Sequence, residues 1–155
     1  MSSLCLSCGA AVRPLSGAWT RCPRCGFVEG PRQESAEQAS YRALHETGTG
    51  ARVEEARRGV YQPLLQRFRP NGARRCLDVG SGAGVFARLA VVEGWRCVGV
   101  DPAGPSIEED GLSLRRGSFP PAPEGPFELV TFFGSLNYMG DPQAALEAAR
   151  AVLAP

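Results

Sequence analysis

The run Asp78-Val79-Gly80-Ser81-Gly82-Ala83-Gly84 constrains this chain more than any other stretch. It follows a short apolar segment, CLDV (76–79), that reads as a strand. It precedes VFARLAVVE (85–93), whose apolar residues recur at helical spacing. Glycines placed between a strand and a helix let the backbone turn sharply and keep Cβ atoms out of the path of a ligand. The N–H groups that open a helix lack intrahelical acceptors, so they are expected to serve ligand oxygens.

The pattern around that turn alternates strand and helix. Val53, Ala56, Val60, Leu64 and Phe68 fall at helical spacing, and Pro63 is expected to kink or divide that helix. After the turn, Gly94 is a plausible helix stop, and RCVGVD (96–101) reads as a second strand. SIEED (106–110) reads as a short helical piece, LSLRR (112–116) as a third strand and ELVTFF (128–133) as a fourth. PQAALEAARAVL (142–153) is an amphipathic helix, with Asp141 as N-cap and Pro142 at its first position. Strands alternating with helices predict an α/β protein with a parallel sheet covered on both faces.

Spacing separates this turn from two similar ones. A nicotinamide-binding turn reads G-x-G-x-x-G/A, but here the third glycine comes one residue early, at Gly84, and Val85 fills the last position. A G-x-S-x-G hydrolase elbow is excluded by Val79, which stands where its first glycine would be. Asp78 precedes the glycines, and Asp101 closes the next strand in GVDP. Downstream runs RRGSFPPAPEGPFELVTFFGSLNYMGDPQAALEAARAVLAP. Together these residues resemble motif I and the following strands of the class I S-adenosylmethionine-dependent methyltransferases, over residues 51–155.

That resemblance implies a Rossmann-like parallel sheet with helices on both faces, S-adenosylmethionine as cofactor, and methyl transfer to an unidentified acceptor. Asp78, Gly80, Ser81, Gly82 and Gly84 would hold the methionine end. Asp101 would accept the ribose hydroxyls, and Pro102 would lie near the adenine. Ser118 and Phe119 stand where the family often places an acidic residue reading the adenine amino group. Phe133 and Gly134 would flank the methyl-transfer centre. Asn137 and Tyr138 occupy the loop where relatives place substrate-facing groups, many of them Glu-His, so no catalytic residue is identified. Alignment of a sulfonium methyl donor with its acceptor supplies much of the rate by orientation, so few such residues are needed. The resemblance also implies strands beyond the fourth. On that reading the chain is C-terminally incomplete, and its fourth strand is an unprotected edge open to self-association.

A separate signature lies at the N-terminus. Cys5-x-x-Cys8-Gly9 and Cys22-Pro-x-Cys25-Gly26 are two knuckles carrying four of the six cysteines. Two thiolates on each tight turn complete a four-sulfur tetrahedral site suited to zinc, with a single iron or a disulfide pair as alternatives. With all four ligands supplied by protein, such a zinc site is structural. The expected organisation is a zinc-ribbon-like finger over 1–30, a linker over 31–50 and the partial methyltransferase domain over 51–155. Cys76 and Cys97 lie within predicted strands and read as small core residues.

Composition excludes further chemistry. All seventeen basic residues are arginine, so there is no lysine for a Walker A loop or a pyridoxal Schiff base. No apolar run approaches the roughly 18 residues of a membrane span, and no secretory pattern opens the chain, which implies a cytoplasmic location. His45, the only histidine, lies in the linker. Tyr41 and Tyr61 either face the ligand or pack in the core. Arg57, Arg58, Arg67, Arg69, Arg74 and Arg75 form a basic stretch without acidic residues. It reads as a solvated helix face, with RNA binding as the alternative. A small-molecule acceptor is therefore favoured over RNA. The rival to an enzyme is a non-catalytic binding module that recognises RNA or protein.

Overall fold

The computed structural model describes residues 4–5, 7–30, 49–68 and 74–155. Near the N-terminus, β1 (Arg13–Ser16), β2 (Trp19–Arg21) and β3 (Val28–Glu29) form an antiparallel sheet in that order. Its strands are nearly all exposed. Among the described residues up to position 30, only Cys5 and Cys22 are buried, so this small sheet has sulfur where a larger module has an apolar core.

The second sheet follows a long helix, α1 (Thr49–Arg67). Its elements are β4 (Arg74–Val79), α2 (Val85–Val92), β5 (Trp95–Asp101), β6 (Ile107–Glu109), β7 (Leu112–Arg116) and β8 (Leu129–Thr131). A short 3-10 turn (Leu136–Tyr138) and α3 (Pro142–Val152) complete the chain. The strand order is β6-β7-β5-β4-β8. β4 lies at the middle of the parallel part, paired with β5 on one side and β8 on the other. β5 in turn pairs in parallel with β7.

Alternation along these strands divides the core in two. Cys76, Cys97, Leu112 and Leu114 face one way and pack with Tyr61 and Leu65 of α1 and Phe86, Ala87 and Ala90 of α2. Leu77, Val79, Val98 and Val100 face the other way with Phe127, and Val152 at the end of α3 packs against them. The same alternation places Asp78 on the α1 and α2 side, two positions beyond Cys76. Gly99 is required there: a Cβ on it would sit 2.6 Å from Leu114 and 2.8 Å from Ser81.

One element differs from its expectation, and two readings become more specific. The segment expected as a helical piece over 106–110 is the strand β6, antiparallel to β7 with Glu109 opposite Leu112. The two-residue connection Asp110-Gly111 brings the chain straight back, with Gly111 at φ 76°. The sheet is therefore mixed, with one antiparallel edge strand on a parallel body. Pro63 does not divide α1, which runs continuously through it. Tyr61 before the proline and Leu65 after it are both buried against the same core, which holds the helix on both sides. The other elements follow the sequence reading. Gly94 ends α2 at φ 92°, and the Asp141 carboxylate accepts the Ala144 N–H at 3.0 Å as N-cap of α3. No helix among the described residues is long and apolar enough to cross a membrane.

Candidate functional site

The glycine turn joins β4 to α2 and is tied down from both sides. The N–H groups of Gly80 and Ser81 donate to the Val100 carbonyl at 2.8 and 3.3 Å, and that of Gly84 donates to Ser81 at 2.8 Å. Gly82 donates to the Asp101 carboxylate at 2.9 Å. Gly80, Gly82 and Gly84 all have positive φ, and a Cβ on Gly80 would lie 2.2 Å from the Ser135 Cβ. Ser135, in the loop after β8, sits directly on the turn and donates its hydroxyl to the Val79 carbonyl. The turn's own amides are thus largely committed to the protein. Those of Ala83, Val85, Phe86 and Ala87 meet no acceptor among the described residues, and they point from the start of α2.

Asp78 lies at the floor of the site, 2% exposed. Its Oδ1 accepts the Thr131 hydroxyl at 2.9 Å, while Oδ2 has no hydrogen bond to a described residue. Burial pushes its carboxyl up to about 7. The Thr131 hydrogen bond and the charge of Arg57 pull it down, and Asp101 pushes it further up.

Asp78, Gly80, Ser81 and Phe133 line one small, partly enclosed pocket, whose far walls are Arg57 and Tyr61 of α1 and the first turn of α2. Tyr61, Phe86 and Phe133 form an aromatic triangle with ring centroids 4.5 to 5.5 Å apart. Tyr61 therefore both packs in the core and faces the pocket.

The remaining candidates are placed as follows. Asp101 is 6% exposed, and its second oxygen accepts the Ala103 N–H at 2.7 Å. Residues 102–104 fold back across the glycine turn, so a Cβ on Gly104 would meet the Gly82 carbonyl at 2.8 Å. Arg116 fixes this loop through the Gly104 carbonyl at 3.0 Å. Pro102, Ser118 and Gly134 are exposed. Phe119 turns away to pack on Phe132 in the second core, with centroids 5.9 Å apart. Asn137 and Tyr138 are exposed on the 3-10 turn. Tyr41 and His45 lie outside the described residues.

Arg57 is the lining residue that sequence reasoning left among the solvated arginines. Its signal is the four-residue step Arg57, Tyr61, Leu65, which puts it on the buried face of α1. Arg75 lies 4.6 Å over the Phe127 ring and donates to the Glu124 and Pro126 carbonyls.

The four N-terminal thiols converge. Their sulfurs all lie within 4.8 Å of one another, with Cys5 to Cys25 at 3.6 Å and Cys8 to Cys22 at 3.5 Å. A tetrahedral zinc ion with metal–sulfur distances of about 2.3 Å sets its sulfurs about 3.8 Å apart, so the cluster fits. Gly9 and Gly26, at φ 69° and 77°, close the two knuckles, and their N–H groups donate to Cys5 and Cys22. The Cys25 N–H holds the Cys22 thiol low, at about 6, and the Phe27 N–H lowers Cys25. At Cys8 the Ala10 N–H acts in the same direction, but desolvation and the other sulfurs outweigh it and raise the thiol to about 12. None of the six cysteines is in a disulfide, and Cys76 and Cys97 are buried opposite one another on β4 and β5.

The sequence model of a methyltransferase domain matches residues 53–155. No protein of curated function matches the chain. Among solved structures, a complex between the Trm112 methyltransferase activator of Haloferax volcanii and a methyltransferase is similar at 23% identity and TM-score 0.62. That match covers 74% of this chain and 56% of the other, so the chain spans little more than half of that relative. The 1,6-didemethyltoxoflavin-N1-methyltransferase of Burkholderia thailandensis, solved with 1,6-didemethyltoxoflavin and S-adenosylhomocysteine, matches at 16% identity and TM-score 0.53. Coverage there is 94% of this chain and 69% of that one. A protein of Methanococcus maripaludis described as an S-adenosyl-L-methionine-dependent methyltransferase matches at 16% identity and TM-score 0.52, over 83% and 63% of the two chains. At these identities the likeness is one of fold.

Proposed function

This chain belongs to the methyltransferase-domain family, and we propose that it holds S-adenosylmethionine on the glycine turn and passes its methyl group to a small-molecule acceptor. The observation that carries the reading is Asp78. A nearly buried carboxylate with one oxygen free of hydrogen bonds opens into a pocket built by the turn, which is the environment a cationic amino group requires. The bound cofactor supplies a methyl group on a positively charged sulfur. The chain's part is to grip and orient. Asp78 and the stretch from Gly80 to Gly84 take the methionine end. Asp101, fixed by the Gly82 and Ala103 N–H groups, keeps further lone pairs for the ribose hydroxyls. Phe133 walls the pocket beside the reacting centre, with Gly134 next to it. Pro102 and Ser118 lie on the adenine side, and Phe119 supports that side from the core.

A small acceptor is favoured over RNA because two of the described arginines of the run are engaged within the domain. Arg57 turns to the pocket and Arg75 is occupied against Phe127. The Burkholderia thailandensis methyltransferase, solved with bound 1,6-didemethyltoxoflavin, is in keeping with this. The finger over residues 1–30 holds zinc through Cys5, Cys8, Cys22 and Cys25, a closed site with no open position for chemistry. Residues 31–50 link it to the methyltransferase domain over 51–155.

Calorimetric titration of the zinc-loaded chain with S-adenosylhomocysteine tests the proposal. Saturable one-to-one binding is expected. A folded chain that ignores this ligand and instead binds structured RNA, with steep salt dependence, is a binding module and not an enzyme.

A further inference from the structure

The three-stranded sheet of the finger has two unlike faces. Arg13 stands directly opposite Arg21 across β1 and β2, and Arg21 opposite Val28 across β2 and β3. Trp19, two residues before Arg21, shares their side, whereas Pro14, Thr20 and Glu29 alternate to the other. Glu29 is the sole acid of residues 1–30, so the face of Arg13, Trp19, Arg21 and Val28 carries no carboxylate. All four of its residues are exposed, Trp19 by 51%. Two guanidiniums in direct cross-strand register repel each other, and no ion pair among the described residues relieves either. The same register carries Trp19 opposite Gly30, and the indole lies across that glycine: a Cβ there would meet three of its ring carbons at 2.9 to 3.1 Å. One ring face is thereby held against the backbone while the other is open to solvent.

Repelling charges and a large exposed aromatic cost stability in a module that has no apolar core to spare. Each feature matches one part of a single-stranded nucleic acid. Every base has a π-face that stacks on the open side of an indole, and the backbone has repeating phosphates that guanidiniums bind through paired hydrogen bonds. A duplex keeps its base faces inside its own stack, and a run of carboxylates offers nothing to the indole. We infer that the face formed by Arg13, Arg21 and Trp19 binds single-stranded nucleic acid, one base stacking on Trp19 while the two arginines take adjoining phosphates. The attraction is local, because a zinc–thiolate cluster is itself anionic and brings the finger as a whole close to neutral. This site is separate in sequence from the glycine turn, does not rest on the cofactor reading, and leaves the methyl acceptor as proposed.

The zinc-loaded full chain is titrated into a labelled single-stranded oligouridylate about ten nucleotides long, read by fluorescence anisotropy, with an RNA duplex and polyglutamate as competitors. Saturable binding is expected, with each competitor at least about tenfold weaker. Trp19→Leu, which still covers Gly30, should weaken the oligonucleotide about tenfold and leave its salt dependence unchanged. Trp19→Phe keeps a stacking ring and should fall between the native chain and Trp19→Leu. Arg13→Gln and Arg21→Gln should each flatten the slope of log affinity against log salt by about 0.7. One bound zinc per chain verifies that the finger is folded in every variant. Absence of binding by the zinc-loaded chain, equal competition by the duplex, or a native affinity in Trp19→Leu overturns the inference. Tighter binding of polyglutamate also overturns it and makes an acidic protein the partner. Affinity for S-adenosylhomocysteine is measured alongside and should stay native in every variant, so failure here and failure of the proposed function are read separately.

Discussion

Asp78 shows how far a single position can be read in advance. Its type and place, at the end of a strand before glycines, were legible, because a carboxylate there has few structural uses. Its protonation was not legible, since that depends on Tyr61, Phe86 and Thr131, which reach it from distant parts of the chain. The folded-state value of about 7 lies above the ordinary 3.8, so the shift favours the folded chain below about pH 4. That contribution fades as pH rises towards 7. Asp78→Asn keeps an acceptor for Thr131 and removes the titration. Thermal melts should find it more stable than the native chain at pH 8, by up to about 4 kcal/mol, and equal to it at pH 3.5. Equal stability at both values would mean the carboxylate is not desolvated. The surroundings of Phe119 and of Arg57 were not legible, for one reason. Both assignments depended on where a side chain turns, which spacing alone decides only when a helical or strand face is already known.

At the scale of elements, the parallel strands β4, β5 and β7 were legible because buried strands are short apolar runs. The end of α2 and the cap of α3 followed from glycine and aspartate chemistry. The β6–β7 hairpin was missed because Ile107, Glu108 and Glu109 carry two acidic residues, a composition that suits a helix end better than a strand. The informative residues were the next two, Asp110-Gly111, whose pairing is a hairpin signal. Gly111 sits at φ 76° with its nearest neighbour, Val91, 3.4 Å from a would-be Cβ, so space is adequate and only the backbone objects. Gly111→Ala should therefore cost about 1 kcal/mol, measured by denaturant unfolding, without changing ligand affinity. A larger cost accompanied by loss of binding would show that the hairpin braces the site through β7.

Over the whole molecule, the two sheets are held together by different means. The larger sheet buries residues on both faces, whereas the finger buries only Cys5 and Cys22 among its described residues. A module of this size without an apolar core depends on its metal for folding. Chelation of zinc should unfold residues 4–30, seen as loss of amide protection there, and leave S-adenosylhomocysteine affinity within about twofold, since the metal is structural. Persistence of the finger's protection without metal would contradict that dependence. The four-cysteine spacing made this much legible from sequence, whereas the exposure of nearly all its strand residues had to be seen.

The two borders of the larger sheet are also unlike. β6 is three residues long and two of them are carboxylates. β8 presents Leu129, Val130 and Thr131, with no charge among them. Both borders are three residues long, so the difference is charge: carboxylates along β6 disfavour a pairing strand, whereas β8 carries no charge. A strand added to this sheet would therefore meet less opposition on the β8 side, beyond the strand whose Thr131 touches Asp78.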